Sequence, residues 1–359
     1  MNVLLTGATG FLGEYLLAEL LERGHKVCAL FRSESRKQAT SQFINSLGMP
    51  RRKEQLNWLR GDVLNCSDRW THWCRNYPGL AEVDTVLHSA ASTRLHLDEF
   101  GDPLKTNLGS AQALAKLVER HPLKVHLIST AYVCGFIDGD SVYEENHPRG
   151  DFVNIYEESK WEAEQVWMDK ATILRPGIIV GHSETGRCSS FTGWYILFQA
   201  AYMLDRLMSD ATQSERQKLD LILPIDPGAQ ANIIPVDYVA KASIRIVENP
   251  EYHDQIYHLT HPNPPDHQWT LEYICRRFGF GGIHLGGQKA QITKPRNQAE
   301  NMVWRQIQVI RSHFSNNPLF DRSKTDKVLP NLKVPPISEG LVSLLIDYAV
   351  KKDWGQTIN

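Results

Sequence analysis

Apolar positions recur along this chain with two periods. Short apolar runs at Val3-Leu4-Leu5, Lys26 to Phe31, Leu56 to Arg60, Val83 to Leu87 and Lys124 to Ile128 read as strands. Between them the spacing becomes helical. Phe11 to Arg23 sets Leu12, Leu16 and Leu20 beside Leu17 and Leu21, and Gly24 stands where a C-cap belongs. Thr106 to His121 reads as a further helix. Strands and helices alternating at these lengths require right-handed crossovers, and therefore an α/β architecture with a parallel sheet.

The first strand runs into Thr6-Gly7-Ala8-Thr9-Gly10-Phe11-Leu12-Gly13, between a strand and a helix. That is the context a dinucleotide fingerprint requires. Gly7 permits a tight turn, Gly10 lets a pyrophosphate approach the backbone, and Gly13 allows close packing. The helix start adds N–H groups and a positive dipole end. Thr6, Gly7, Thr9, Gly10, Phe11, Leu12 and Gly13 are the expected cofactor cradle; the plain alternative is a structural turn. The spacing is G-x-x-G-x-x-G rather than G-x-G-x-x-G.

At the end of the second strand, an acidic residue would take the 2′-hydroxyl of NAD and a basic one the 2′-phosphate of NADP. Arg32 stands there with Arg36 and Lys37 behind it, which favours NADPH, while Glu34 is able to reach a hydroxyl instead. Asp62, before Val63, either accepts from the adenine amino group or caps the helix beginning near Ser67. After the fourth strand, His88-Ser89-Ala90-Ala91-Ser92 supplies small residues against which a cofactor can lie. His88 reads as a core histidine without chemistry.

Ser129-Thr130 follows the fifth strand, and a hydroxyl there is often only a cap. Tyr156 and Lys160 are four apart on an expected helix and share a face. An ammonium near a phenol favours the phenolate and lowers its pKa, so that the phenol can protonate a developing alkoxide near neutral pH.

These motifs together resemble the extended short-chain dehydrogenases/reductases. The residues that carry the likeness are the glycine turn, Gly61-Asp62-Val63, His88-Ser89-Ala90-Ala91, Ser129-Thr130, Tyr156-x-x-x-Lys160 and Leu174-Arg175-Pro176-Gly177-Ile178-Ile179-Val180-Gly181. The resemblance implies a Rossmann doubly wound sheet with a smaller, mainly helical substrate lobe. Residues 1–190 and 231–260 would form the NADP-binding domain, and 191–230 and 261–359 the lobe. It implies catalytic roles for Thr130 on the substrate oxygen, Tyr156 as proton donor, and Lys160 on the nicotinamide ribose and the Tyr156 pKa. Cofactor contacts would extend to Arg32, Asp62, Val63, Ser89, Ala90, Ala91, Pro176 and Ile178.

Phe191 to Met208 is dense in large apolar groups and serves either as a core helix or as a substrate wall. The tail carries Leu319-Phe320-Asp321-Arg322-Ser323-Lys324-Thr325-Asp326, Pro335-Pro336 and an amphipathic stretch from Ser338 to Lys351. With Thr130 and Tyr156-x-x-Ser159-Lys160-Trp161-x-Ala163-Glu164, this order resembles the thioester reductases, the group of carboxylic acid reductase and male-sterility-type reductase domains. Where that group often has Asn after the His-x-Ala-Ala stretch, this chain has Ser92-Thr93-Arg94. The implied activity is NADPH-dependent reduction of an acyl thioester to an aldehyde or alcohol. The acyl group would arrive in trans on CoA or an acyl carrier protein, since the chain begins at the fingerprint. The alternatives are a ketone or aldehyde reductase, a nucleotide-sugar epimerase or dehydratase, and a silent NADP sensor. The Thr130, Tyr156 and Lys160 set speaks against the sensor, because binding alone does not need it.

Composition narrows this only slightly. A net charge of −2 over 359 residues gives no pull toward nucleic acid or membrane. Gln199, Asp205 and Arg206 interrupt the longest apolar stretch, so no membrane span is expected. Six scattered cysteines and Met1 leading directly into a strand suit free thiols and a cytoplasmic protein. His258, His261 and His267 lack metal-ligand spacing, so no metal is expected. Between His284 and Lys333 stand nine Lys or Arg and three Asp or Glu, either a solvated face or a dock for an acidic carrier or CoA phosphates.

Overall fold

The computed structural model describes residues 1–48, 55–287, 298–308 and 316–355. Seven strands form one parallel sheet: β1 (Asn2–Thr6), β2 (Lys26–Phe31), β3 (Leu56–Arg60), β4 (Thr85–His88), β5 (Lys124–Ile128), β6 (Thr172–Pro176) and β7 (Ile256–Leu259). Their spatial order is β7-β6-β5-β4-β1-β2-β3. The order reverses between β1 and β4, and the ends of these two strands therefore flank the crevice where doubly wound sheets hold ligands. β1 and β4 are in register from Val3↔Thr85 to Thr6↔His88.

β2, β3 and β5 have the bounds expected from the apolar pattern. β4 begins two residues later than Val83 and includes His88, because the buried edge of this strand is polar as well as apolar. The helix expected over Thr106 to His121 runs instead over Leu104–Val118.

Helices cover both faces of the sheet. On one face α1 (Phe11–Glu22) packs on a helix at Val236–Glu248; Leu16, Leu17, Leu20, Val239 and Ile246 are buried together there. On the other, α2 (Cys66–Asn76), α3 (Leu104–Val118) and α4 (Ile155–Trp167) bury Trp70, Trp73, Leu114 and Trp167. A separate apolar core gathers α5 (Tyr195–Leu207), α6 (His267–Phe278), α7 (Gln298–Ile307) and α8 (Glu339–Lys351), with the paired strands Leu221–Leu223 and Ile283–Leu285. In the stretch Phe191 to Met208, Trp194, Tyr195, Phe198 and Leu204 are buried in this core, while Leu207 is exposed. Among the described residues, no helix is long and apolar enough to cross a membrane.

The helix that carries Tyr156 and Lys160 is fixed from both ends. The Asn154 side chain accepts from the Glu157 N–H at 3.0 Å and caps its start. One turn beyond Lys160, Glu164 meets Arg175 of β6 in a two-point pair of 3.0 and 2.7 Å, with both side chains fully buried. The third guanidinium nitrogen donates to the Glu145 carbonyl at 2.9 Å. Breaking one side of such a pair strands a buried charge, whereas replacing both sides with apolar groups does not. Glu164→Ala is therefore expected to destabilise the protein by about 3–5 kcal/mol, and the joint change Glu164→Leu with Arg175→Met by clearly less. Urea unfolding midpoints check this, and equal losses in the two variants would mean that the pair is not what holds this helix.

Candidate active site

β1 ends in the glycine turn. Gly7 has φ +71°, a left-handed conformation that suits glycine. A side chain there would also come within 2.6 Å of the Ala90 nitrogen. The β1 and β4 loops therefore touch through bare backbone. A Cβ on Gly13 would lie 1.9 Å from the Gly7 carbonyl oxygen, so α1 starts this close to the turn only with glycine. Gly10 differs: a Cβ would meet only the Gly7 oxygen, at 3.2 Å, and otherwise face open space. No side chain caps the start of α1, so the first-turn amides remain aimed at that space.

Glu14 in the first turn carries the wrong charge for an anion site. Arg187 neutralises it with bonds of 2.6 and 3.1 Å, and the Arg187 guanidinium sits 3.7 Å from the centre of the Phe43 ring. An uncapped helix start, open space at Gly10 and a neutralised Glu14 together fit a dinucleotide pyrophosphate. Thr9, Gly10 and Phe11 are half-buried around the opening and Leu12 is buried behind it.

Thr6 has another task. Its hydroxyl accepts from the Ala90 N–H at 3.2 Å and lies 2.7 Å from His88 Nδ1. His88 Nε2 lies 3.1 Å from the Ser110 hydroxyl, which donates to the Asn107 carbonyl. With its one proton so used, Ser110 accepts from His88 Nε2–H, and Nδ1 accepts from Thr6. Burial, and then the charge of Lys160, pull the His88 pKa down to about 3. His88 is thus a neutral structural link.

Asn107 continues the link. Its amide donates to the Ser92 carbonyl at 3.0 Å and to the Ser159 hydroxyl at 2.8 Å, and its oxygen accepts from the Ser92 N–H. Ser159 donates in turn to the Tyr156 carbonyl at 2.7 Å. Sequence reasoning missed Asn107. Its one signal was an amide on the helix face that also carries Ser110, Ala111 and Leu114 into the interior.

At the ribose end, Arg32 is exposed, with its guanidinium 3.5 Å from an Asp62 oxygen. The other Asp62 oxygen accepts from the Leu64 N–H at 3.0 Å, capping a single turn at Val63–Asn65 rather than a helix near Ser67. Val63 is buried under this turn. Ser89 and Ala90 are half-buried and Ala91 is exposed at the end of β4, while Ile178 is half-buried just past the buried Pro176.

Thr130, Tyr156 and Lys160 belong to the β5 end and to the helix packed beside it. The Thr130 hydroxyl accepts from the Tyr132 N–H at 3.4 Å, a long cap bond. Its own proton has no partner among the described residues. Lys160 is buried, and its ammonium donates to the Ile128 carbonyl of β5 at 2.6 Å. Burial brings its pKa down to about 8, with Glu164 opposing the shift. The half-buried Tyr156 departs from expectation: burial, and then the neighbouring Glu157, push its phenol above the usual value. The charge of Lys160 is directed at a strand carbonyl, so it does not depress the phenol here.

The tail residues singled out by the sequence pattern are mostly structural. Lys324 donates through its ammonium to the Glu144 carbonyl at 2.5 Å. The buried Glu144 carboxylate accepts from the backbone of His258 and of Lys324, at 2.7 and 2.5 Å. Arg322 is buried against Tyr238 and Asp326. Lys289, Lys294, Arg296 and Arg311 of the basic stretch lie outside the described residues. His258 and His261 bond the carbonyls of Asp321 and Pro335. Among the described residues, no group of three or more His, Cys, Asp or Glu is placed to hold a metal.

Several known proteins are similar to this chain. The family described as male sterility protein matches residues 5–243. The nonribosomal peptide synthetase asaC of Aspergillus flavus is 26% identical over 297 residues, covering 76% of this chain and 27% of that protein. The glycine betaine reductase ATRR of Emericella nidulans is 24% identical over 295 residues, covering 76% of this chain and 22% of that protein. The chain thus spans about a quarter of the length of these relatives. Among solved structures, the terminal R domain of the myxalamid PKS-NRPS pathway superposes with TM-score 0.77 at 22% identity, over 98% of this chain and 91% of that one. A thiolation-reductase di-domain from an archaeal non-ribosomal peptide synthetase gives 0.70 at 18% identity, over 99% and 91%. The chain belongs to the male sterility protein family of extended short-chain dehydrogenases/reductases, and is an oxidoreductase with that family's nicotinamide-cofactor domain.

Proposed function

We propose that this oxidoreductase is an NADPH-dependent reductase of acyl thioesters, carried on CoA or on a carrier protein, and that Thr130, Tyr156 and Lys160 act on the reacting carbonyl. The observation that carries the reading is the seating of Lys160 on the Ile128 carbonyl, 2.6 Å away. It fixes the helix bearing Tyr156 against the β5 end, where the Thr130 hydroxyl keeps an uncommitted proton. The relatives in peptide synthetases support the thioester over a sugar nucleotide. In this reading, residues 1–190 and 231–260 hold the cofactor, and 191–230 and 261–359 form the substrate lobe.

The bound cofactor supplies a hydride. The protein's own residues act on the oxygen and sulfur of the substrate. As the carbonyl carbon gains the hydride, the C=O π pair moves onto oxygen, where the Thr130 hydroxyl donates a hydrogen bond. The Tyr156 phenol, kept protonated at neutral pH by its raised pKa, gives its proton to that oxygen. Lys160, still mostly cationic at neutral pH, keeps the helix bearing Tyr156 seated on the Ile128 carbonyl as the phenolate forms. The hemithioacetal collapses: the C–S bond breaks, the pair leaves on sulfur with a proton, and the aldehyde carbonyl forms. A second hydride would give the alcohol.

Free thiol measured together with cofactor absorbance tests the reaction. One thiol is expected for each first hydride transferred, and two NADPH per thiol if the aldehyde is reduced further. NADPH loss with ketones and no thiol from any thioester would make the protein a carbonyl reductase. Tyr156→Phe should lower turnover by about a hundredfold or more while leaving NADPH binding in place.

Lys160 also predicts a pH limb. Because kcat/KM reports groups of the free enzyme, it should fall as pH rises through about 8, where Lys160 loses its proton. A profile flat to pH 10 would remove the ammonium from the chemistry.

We take the preference for NADPH over NADH from Arg32, exposed at the β2 edge and paired at 3.5 Å with Asp62. A guanidinium binds a phosphate with charge-assisted bonds that a hydroxyl does not replace. Arg32→Ala should remove most of the preference; equal affinity for the two cofactors in the unaltered protein would overturn it.

A further inference from the structure

Inside the second core lies a cavity of about 40 Å³. Leu197, Ala201 and Leu204 of α5, Ile274 of α6, Ile307 of α7 and Leu285 form much of its wall. Two polar side chains also reach it, and neither brings a charge. The Thr270 hydroxyl donates to the Asp266 carbonyl at 3.0 Å. The His267 imidazole is held neutral, because burial pulls its pKa down to about 4. The rest of the lining is apolar, which favours small apolar guests.

Its walls belong to a core that also meets residues at the cofactor crevice. α5 begins just beyond Gly193, where a Cβ would lie 3.5 Å from the Ile178 side chain. Ile178 and Phe11, at the two sides of the cofactor crevice, both pack against this second core. At a rise of about 1.5 Å per residue, the cavity wall on α5 starts roughly 6 Å from Gly193 and ends roughly 16 Å away.

We propose that this cavity receives the hydrocarbon end of the acyl group and so sets chain-length preference. The substrate name rests on the thioester reading above; the ligand chemistry, a short uncharged aliphatic end, rests on the cavity. Since one water needs about 10–15 Å³ of such space, the cavity holds an end of only a few carbon atoms. Acyl groups ending in a carboxylate are excluded, because the wall offers no partner for a buried charge.

The test uses the full chain with two substitutions of opposite sense, Ala201→Leu to fill the cavity and Leu204→Ala to enlarge it. Benzene binding, followed by ligand-observed NMR, should be present in the unaltered protein, be displaced by 1-butanol or 1-hexanol, and drop at least tenfold in Ala201→Leu. The ratio of kcat/KM for hexanoyl-CoA over acetyl-CoA should fall at least tenfold in Ala201→Leu and rise for longer chains in Leu204→Ala. An unchanged ratio in both variants overturns the proposal, as does benzene binding that neither the alcohols nor Ala201→Leu reduces. Should Ala201→Leu fail to fold, Leu204→Ala decides alone. Loss of the thioester reading shows separately, as thiol release from no substrate; benzene displacement by the alcohols then still supports an aliphatic site, and its absence rejects one.

Discussion

A buried run of hydrogen bonds joins the glycine turn to the helix that carries Tyr156 and Lys160. It passes from the Ala90 N–H through the Thr6 hydroxyl to His88, from His88 through Ser110 to the Asn107 carbonyl, and from the Asn107 amide through Ser159 to the Tyr156 carbonyl. Each member has one donor direction that fits, so the run has a single sense. Removing a member would leave a buried polar group unsatisfied, at a cost of about 1–3 kcal/mol. The run also requires a neutral imidazole. Burial supplies it, holding the His88 pKa near 3, well below any pH at which the enzyme would work.

The sheet was legible in the sequence because its signals are local. β2, β3 and β5 are apolar runs closed by charged or small residues, and such runs need no distant partner to be recognised. The glycine turn was legible for the same reason: the φ of Gly7 and the contact at Gly13 arise within one turn of chain. Thr130, Tyr156 and Lys160 were singled out through resemblance, and the shared helix face of the last two through spacing.

The parts that escaped depend on partners far away in the chain. Thr6 was read only as part of the cradle, and the bonds of its hydroxyl to residues more than 80 positions later were not visible. Glu144 sits in a loop without pattern, yet it ties the sheet edge at His258 to the tail at Lys324 and Thr325. Lys324 looked like a free surface charge because nothing near it in sequence revealed the Glu144 carbonyl. The expected fall in the Tyr156 pKa failed on a similar point. Spacing puts Lys160 on the same helix face, but where its ammonium ends is decided by a carbonyl of β5.

The Glu14–Arg187 pair makes the electrical state of the first helix depend on one of the last. Arg187 follows Gly186, where even a Cβ would come within 2.5 Å of the Leu344 carbonyl in α8. The loop is therefore seated on α8 by direct backbone contact, and Arg187 reaches Glu14 from that seat. A displacement of α8 would withdraw the arginine and leave a bare carboxylate beside amides that fit a phosphate. Two anions would then compete for one helix start.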